Sequence, residues 1–186
     1  MKKTRSLVLF LFVSLVTVFT ISCKKTSDAT TVAAPTLYDS LGGTTLVSDP
    51  AHANVMIEKG RLGIRSVVDS TIFVIAADPK LNGFFKVLVA EVTAGNTSGF
   101  TELSGNLTDF FCVATGAKNF KYTGDDMASA HNPAKNNRMN GKAASTDFDE
   151  FILDLVAGAQ KNKIPSNLIN SVGAVVNTQR SLVVQQ

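Results

Sequence analysis

The chain has 186 residues, 45% of them hydrophobic and 18% charged, which suits one domain with appendages. Lys and Arg number 18 against 15 Asp and Glu, there is no Trp, and the basic residues are scattered. No basic stripe exists to track a phosphate backbone, so no nucleic-acid partner is expected.

Met1-Lys2-Lys3-Thr4-Arg5 precedes an apolar run from Leu7 to Ile21, which ends at Ser22-Cys23. A basic head, an apolar stretch and a small-residue end make residues 1–22 a secretory signal. A spanning helix needs about 20 apolar residues and a stop-transfer flank, whereas this run meets Cys23 and two lysines. "TISC" at 20–23 resembles a bacterial lipobox, with Thr20 where a hydrophobic residue is usual. The resemblance implies lipid on Cys23 and anchorage to a membrane outside the cytoplasm, in the cell envelope. Ordinary secretion is the alternative. Loss of 1–22 removes Lys2, Lys3 and Arg5 and no acid, which leaves 15 basic and 15 acidic residues. A lipidated Cys23 leaves Cys112 without a disulfide partner. Cys112 follows Phe110-Phe111 on an apolar pattern and reads as a small buried hydrophobe.

Residues 23–35, Lys/Ser/Thr/Ala-rich and closed by Pro35, predict a flexible tether. "TLYDSLGG" at 36–43 predicts a short helix stopped by a glycine pair. Residues 44–60 carry little pattern and contain His52. Ile64, Val67, Val68, Ile72, Ile75 and Ala76 form a helical stripe over 61–77. β-Branched content makes that helix intrinsically poor, so a strand competes. "ADPKLNGFF" at 77–85 is a corner, followed by an apolar piece and a loop through residue 99.

Leu103, Leu107, Phe110, Phe111 and Ala114 predict a helix ending near Gly116. A short helix spans 125–131 and a loop spans 132–145. Thr146 is placed to cap a helix carrying Phe148, Phe151, Ile152, Leu155 and Val156. After "KIPSN", a last helix carries Leu168, Ile169, Val172, Val175 and Val176. There is no internal repeat and no period-two ladder, so the expected architecture is all-α.

Two histidines and one unlipidated cysteine do not make a zinc site. A glycine-rich phosphate loop, a G-x-S-x-G turn and a D-x-D-x-D-G calcium loop are all missing from the sequence. A Cys nucleophile is disfavoured, because apolar neighbours raise a thiol pKa. Asp125-Asp126 fits the positive end of the following helix. At helical spacing Met127, Ala128 and His131 share one face, beside a break at Asn132-Pro133. A lone imidazole there is either an incidental surface group or a ligand.

The ordered motifs favour the ligand. "LYDSLGG", "IRSVVDSTIFVIAADPKLNGFF", "LSGNLTDFFCVATG", "YTGDDMASAH" and "STDFDEFILDLVAGAQKNKIPSNLINSVGAVV" together resemble a truncated haemoglobin, nearest its group I pattern. The resemblance covers most of 36–180, and its domain is taken as 36–186. It implies a two-over-two helical sandwich with loop insertions after Gly43, Phe85 and His131, holding haem b. His131 falls on the proximal iron ligand. Phe85, with Phe84 beside it, falls on the corner aromatic against the haem face. Tyr122 and Met127 fall on the haem edge and proximal side, and Leu103, Leu107 and Phe111 on the distal helix. Ile72 stands where the family has a distal tyrosine, and Leu107 where it has a hydrogen-bonding glutamine.

The implied activity is reversible binding of O2, NO or CO, served by a reductase that the sequence does not identify. His52, in the first insertion, is a candidate sixth ligand. An enzymatic reading, NO dioxygenation or peroxidase-like chemistry, calls for a polar distal group that these positions lack. The alternative of another class is a haem-free globin-fold lipoprotein that binds a partner.

Overall fold

The computed structural model describes residues 34–186. The signal 1–22, Cys23 and all but the last two residues of the tether lie outside the described residues.

Helix α1 (Leu37–Ser40) opens on a reciprocal cap. Thr36 Oγ1 accepts from the Asp39 amide at 3.1 Å, and Asp39 Oδ2 accepts from the Thr36 amide at 2.8 Å. Gly42 and Gly43 then take φ of +131° and +60°, which L side chains resist, and the chain turns.

The unpatterned stretch that follows is a hairpin, so the helical frame carries a small sheet that the all-α reading did not include. Strand β1 (Leu46–Ser48) pairs antiparallel with β2 (Met56–Glu58), Val47 opposite Ile57. Three residues per strand are too few to show alternation, and Leu46 and Met56 face solvent.

Helix α2 (Lys59–Ala77) resolves the competition between helix and strand. Of the predicted stripe, Ile64, Val68, Ile72 and Ile75 are buried on one side, Val67 is half-buried and Ala76 is exposed. Helix α2 packs on α4 (Ser98–Ala114) and on α6 (Ser145–Lys161). That burial outweighs the modest helix preference of its β-branched residues. The α2–α6 approach is close: a Cβ at Gly158 would lie 2.9 Å from the Thr71 amide nitrogen.

Asp78 ends α2 with ψ of 116°, as the residue before Pro79 must turn extended. A 3₁₀ turn, Asn82–Phe85, leads into α3 (Lys86–Thr93). The short α5 (Met127–Ala130) follows α4, and α7 (Ser166–Asn177) and α8 (Arg180–Val183) follow α6. The cap of α6 differs from expectation. Helix α6 starts at Ser145, and Asp147 Oδ2, rather than the Thr146 hydroxyl, accepts from the Ala144 amide at 2.8 Å.

The result is a truncated globin fold, α2 and α4 against α6 and α7. Tyr38, Ile64, Val68, Ile72, Phe111, Cys112, Phe148, Leu155 and Val176 form its core. Cys112 is fully buried, and desolvation pushes its thiol up to about 11, so it is packing material rather than a nucleophile.

Candidate functional site

A cavity of about 420 Å³ lies at one end of the sandwich, within the size range of cofactor sites. Helix α2 lends it Ile72, Ile75 and Ala76, and the corner lends Leu81, Phe84 and Phe85. Helix α4 supplies Leu103, Leu107, Phe110 and Phe111. Tyr122, Met127 and His131 close another side, and Phe148 and Phe151 of α6 the back. All nine residues singled out from the sequence as haem neighbours therefore line one space, although they are dispersed over sixty residues of chain (Ile72, Phe84, Phe85, Leu103, Leu107, Phe111, Tyr122, Met127 and His131).

His131 sits at the C-cap of α5. The N-cap of that helix is Asp126, whose Oδ1 accepts from the Ser129 amide at 3.0 Å. One turn on, His131 Nδ1 lies 2.8 Å from the Met127 carbonyl oxygen. A carbonyl only accepts, so Nδ1 carries the proton and Nε2 keeps a free lone pair. Burial lowers the imidazole pKa, and the Met127 bond opposes this more weakly. The ring is thus a neutral, oriented Lewis base, the form that a metal takes.

Tyr122 packs edge-on against Phe110 at 5.9 Å, and its hydroxyl donates to the Asp125 carbonyl at 2.6 Å. Burial, then the charges of Asp125 and Asp126, raises its pKa. The phenol is therefore a fixed wall and not a base.

The segment after His131 is latched to the cavity. Asn140 donates from Nδ2 to the Gly83 carbonyl at 2.9 Å and from its amide to the Phe84 carbonyl at 3.1 Å. Arg138 Nη1 reaches Glu102 Oε2 at 2.6 Å, and its Nε reaches Glu91 Oε1 at 3.4 Å. The loop is so tied to the corner, α3 and α4.

Sequence reasoning missed several wall residues. Leu88, Val89 and Val92 of α3, and Arg138, Met139 and Ala143 of the loop, also line the space. The apolar run at 87–92 was the available signal for the first three. Asn106 of α4 is a polar wall residue that stripe counting passed over.

Two other candidates lie elsewhere. His52 is on the hairpin with its side chain 66% exposed, and its Nδ1 is 3.0 Å from Asp49 Oδ2. It does not line the cavity, which corrects its candidacy as a sixth ligand: the insertion folds outward as a hairpin and takes His52 with it. Tyr38 is buried beneath the hairpin, where its hydroxyl donates to Glu58 Oε2 at 2.7 Å.

The fold is similar to solved structures of truncated hemoglobin from Tetrahymena pyriformis in the Fe(III) form. A variant with one tyrosine changed to phenylalanine matches with a TM-score of 0.58 and 20% identity, over 82% of this chain and 100% of that one. Two glutamine-to-glutamate variants match with the same TM-score and coverage, at 20% and 22% identity. At this identity the likeness is one of fold. No protein-family model and no curated protein matches the sequence.

Proposed function

We propose that this domain is a haem-binding globin of group I type that reversibly binds a diatomic gas. The observation that carries the proposal is His131: a neutral imidazole with a free Nε2 lone pair, on the wall of an apolar cavity of about 420 Å³. The donor set fits a porphyrin iron, which needs one such nitrogen and a flat apolar slot. His131 would hold the metal, Phe84, Phe85 and Phe111 would pack on the macrocycle, and Ile72, Leu103 and Leu107 would shield the gas side from water. When bound, the haem iron supplies an open coordination position for the gas. The Met127 carbonyl keeps the His131 ring in one tautomer and orientation.

The test is haem uptake by the purified protein. One haem per chain and a Soret band are expected, and His131→Ala should abolish the band or shift it strongly. A protein that neither contains nor takes up haem would leave the partner-binding alternative.

Cys23 is proposed as the lipid site, on the strength of "TISC" after a basic head and apolar run. The protein would then work at a membrane outside the cytoplasm. Because one acyl chain anchors only marginally, stable anchorage takes at least two. Cys23→Ser should move the protein to the soluble fraction; unchanged membrane partition would point to an uncleaved N-terminal segment.

A further inference from the structure

Three carboxylates converge where α2 ends. Asp78, Glu150 and Asp154 each present an oxygen within 4.8 Å of the other two. Glu150 and Asp154 are one turn apart on α6, and Asp78 is the C-cap of α2.

The group is poorly compensated. Asp154 is only 6% exposed, and its Oδ2 is buried without a hydrogen-bond partner. Asp78 Oδ2 is likewise buried and unpartnered, while its Oδ1 accepts from the Lys80 amide at 2.9 Å. A buried carboxylate without a donor is strongly unfavourable. The location makes matters worse. A helix C-terminus is a negative pole, and the last turn of α2 has no basic residue. Lys80 reaches Glu150 Oε2 at 2.5 Å and its charge acts on Asp78 and Asp154 at longer range, but its side chain is 67% exposed and its ammonium donates a hydrogen bond to neither aspartate.

We infer that Asp78, Glu150 and Asp154 bind a hard divalent cation, calcium foremost, at the junction of α2, the Pro79 corner and α6. All the ligands are carboxylate oxygens, with no imidazole or thiolate, which excludes the softer metals. Calcium accepts irregular oxygen sets from separate elements, whereas magnesium demands a near-regular octahedron and gives up its water reluctantly. Lys80 would swing into solvent as the ion takes Glu150. The corner it pins continues into Leu81 and Phe84 of the cavity wall, yet the ion site does not depend on haem.

The experiment is calcium titration of the purified, chelator-stripped full chain, read by calorimetry and by Tm. At a hundredfold excess over Kd, binding should raise Tm by roughly 5–10 °C. Asp154→Asn removes a ligand charge and should weaken calcium roughly tenfold or more. That variant also relieves a buried charge, so it should fold with a calcium-free Tm at or above the parent's. Lys80→Gln should tighten calcium binding, which a purely structural acidic corner would not do. No calcium shift in the parent, or an undiminished shift in Asp154→Asn, would overturn the site. A stabilised Asp154→Asn beside a calcium-indifferent parent would identify a shared proton instead. Haem content enters none of these readouts, so failure here leaves the haem reading untouched.

Discussion

Helix α2 runs between two unlike regions. Its first half faces the hairpin end, where charges are matched. Arg61 pairs with Asp109 at 2.5 Å and stacks over Phe120, and Arg65 clamps Asp49 from two nitrogens at 2.6 and 3.1 Å. Tyr38 is 1% exposed there and bonded to Glu58, which also accepts from Asn119 at 2.6 Å. Its second half faces the cavity end, where Ile72, Ile75 and Ala76 border open space with no polar partner to satisfy. One end is closed by specific hydrogen bonds, and the other is held open by side chains that cannot fill it. The lesson is a division along one helix: matched charges and buried hydrogen bonds gather at the hairpin end, and open apolar space at the other.

Substitutions at the two ends should therefore separate stability from ligand behaviour. The largest effect is expected at Tyr38. Tyr38→Ala removes a fully buried aromatic and should cost about 3–5 kcal/mol of folding stability. Denaturant unfolding checks the cost, and haem stoichiometry at permissive temperature should remain that of the parent. Haem loss without destabilisation would merge the two regions.

Next comes Ile72→Tyr at the cavity end. Bound dioxygen carries partial negative charge, and a hydrogen bond to a charged acceptor contributes roughly 1.5–3 kcal/mol. A phenol there should slow dioxygen release about ten- to hundredfold, since ~1.4 kcal/mol is tenfold. Carbon monoxide release should change much less. Stopped-flow measurement of both gases on both proteins sharpens the comparison. Slow dioxygen release from the unmodified protein would implicate a polar side chain of α4 that lines the cavity, Asn106 or Glu102.

The smallest effect is at Asp49. Arg65, then His52 and the Ala51 amide, hold its carboxyl well below the usual carboxylate range. A lowered folded pKa means stability that is present above the unfolded value near 3.9 and lost as pH falls toward the folded one. The Tm difference between the parent and Asp49→Asn should be widest near neutrality and shrink below about pH 4. A gap that stays constant with pH would show that the clamp acts through shape rather than charge.

Much of the frame was legible because apolar residues at helical spacing have few other ways to leave water. The stripes of α2, α4, α6 and α7 appear where periodicity put them, and Pro79 and the Gly42-Gly43 pair mark their turns. His131 was legible as a question, since a histidine on a narrow apolar face has two readings. The family resemblance then tipped it toward the ligand. What stayed hidden depended on partners distant in sequence. The hairpin strands are too short to carry a period. Helix α3 looked like a mere apolar piece until it had a cavity to line. Ala144 displaced Thr146 as the cap because Asp147 reached back to its amide.

Asp154 shows the boundary most clearly. Its charge and its turn of spacing from Glu150 are local facts, written in the chain. Its burial beside Asp78, more than seventy residues earlier, exists only once α6 crosses α2 at Gly158. Periodicity is a local property and survives in the sequence, whereas burial, charge convergence and cavity volume are set by which helices meet, and only the packed structure decides that.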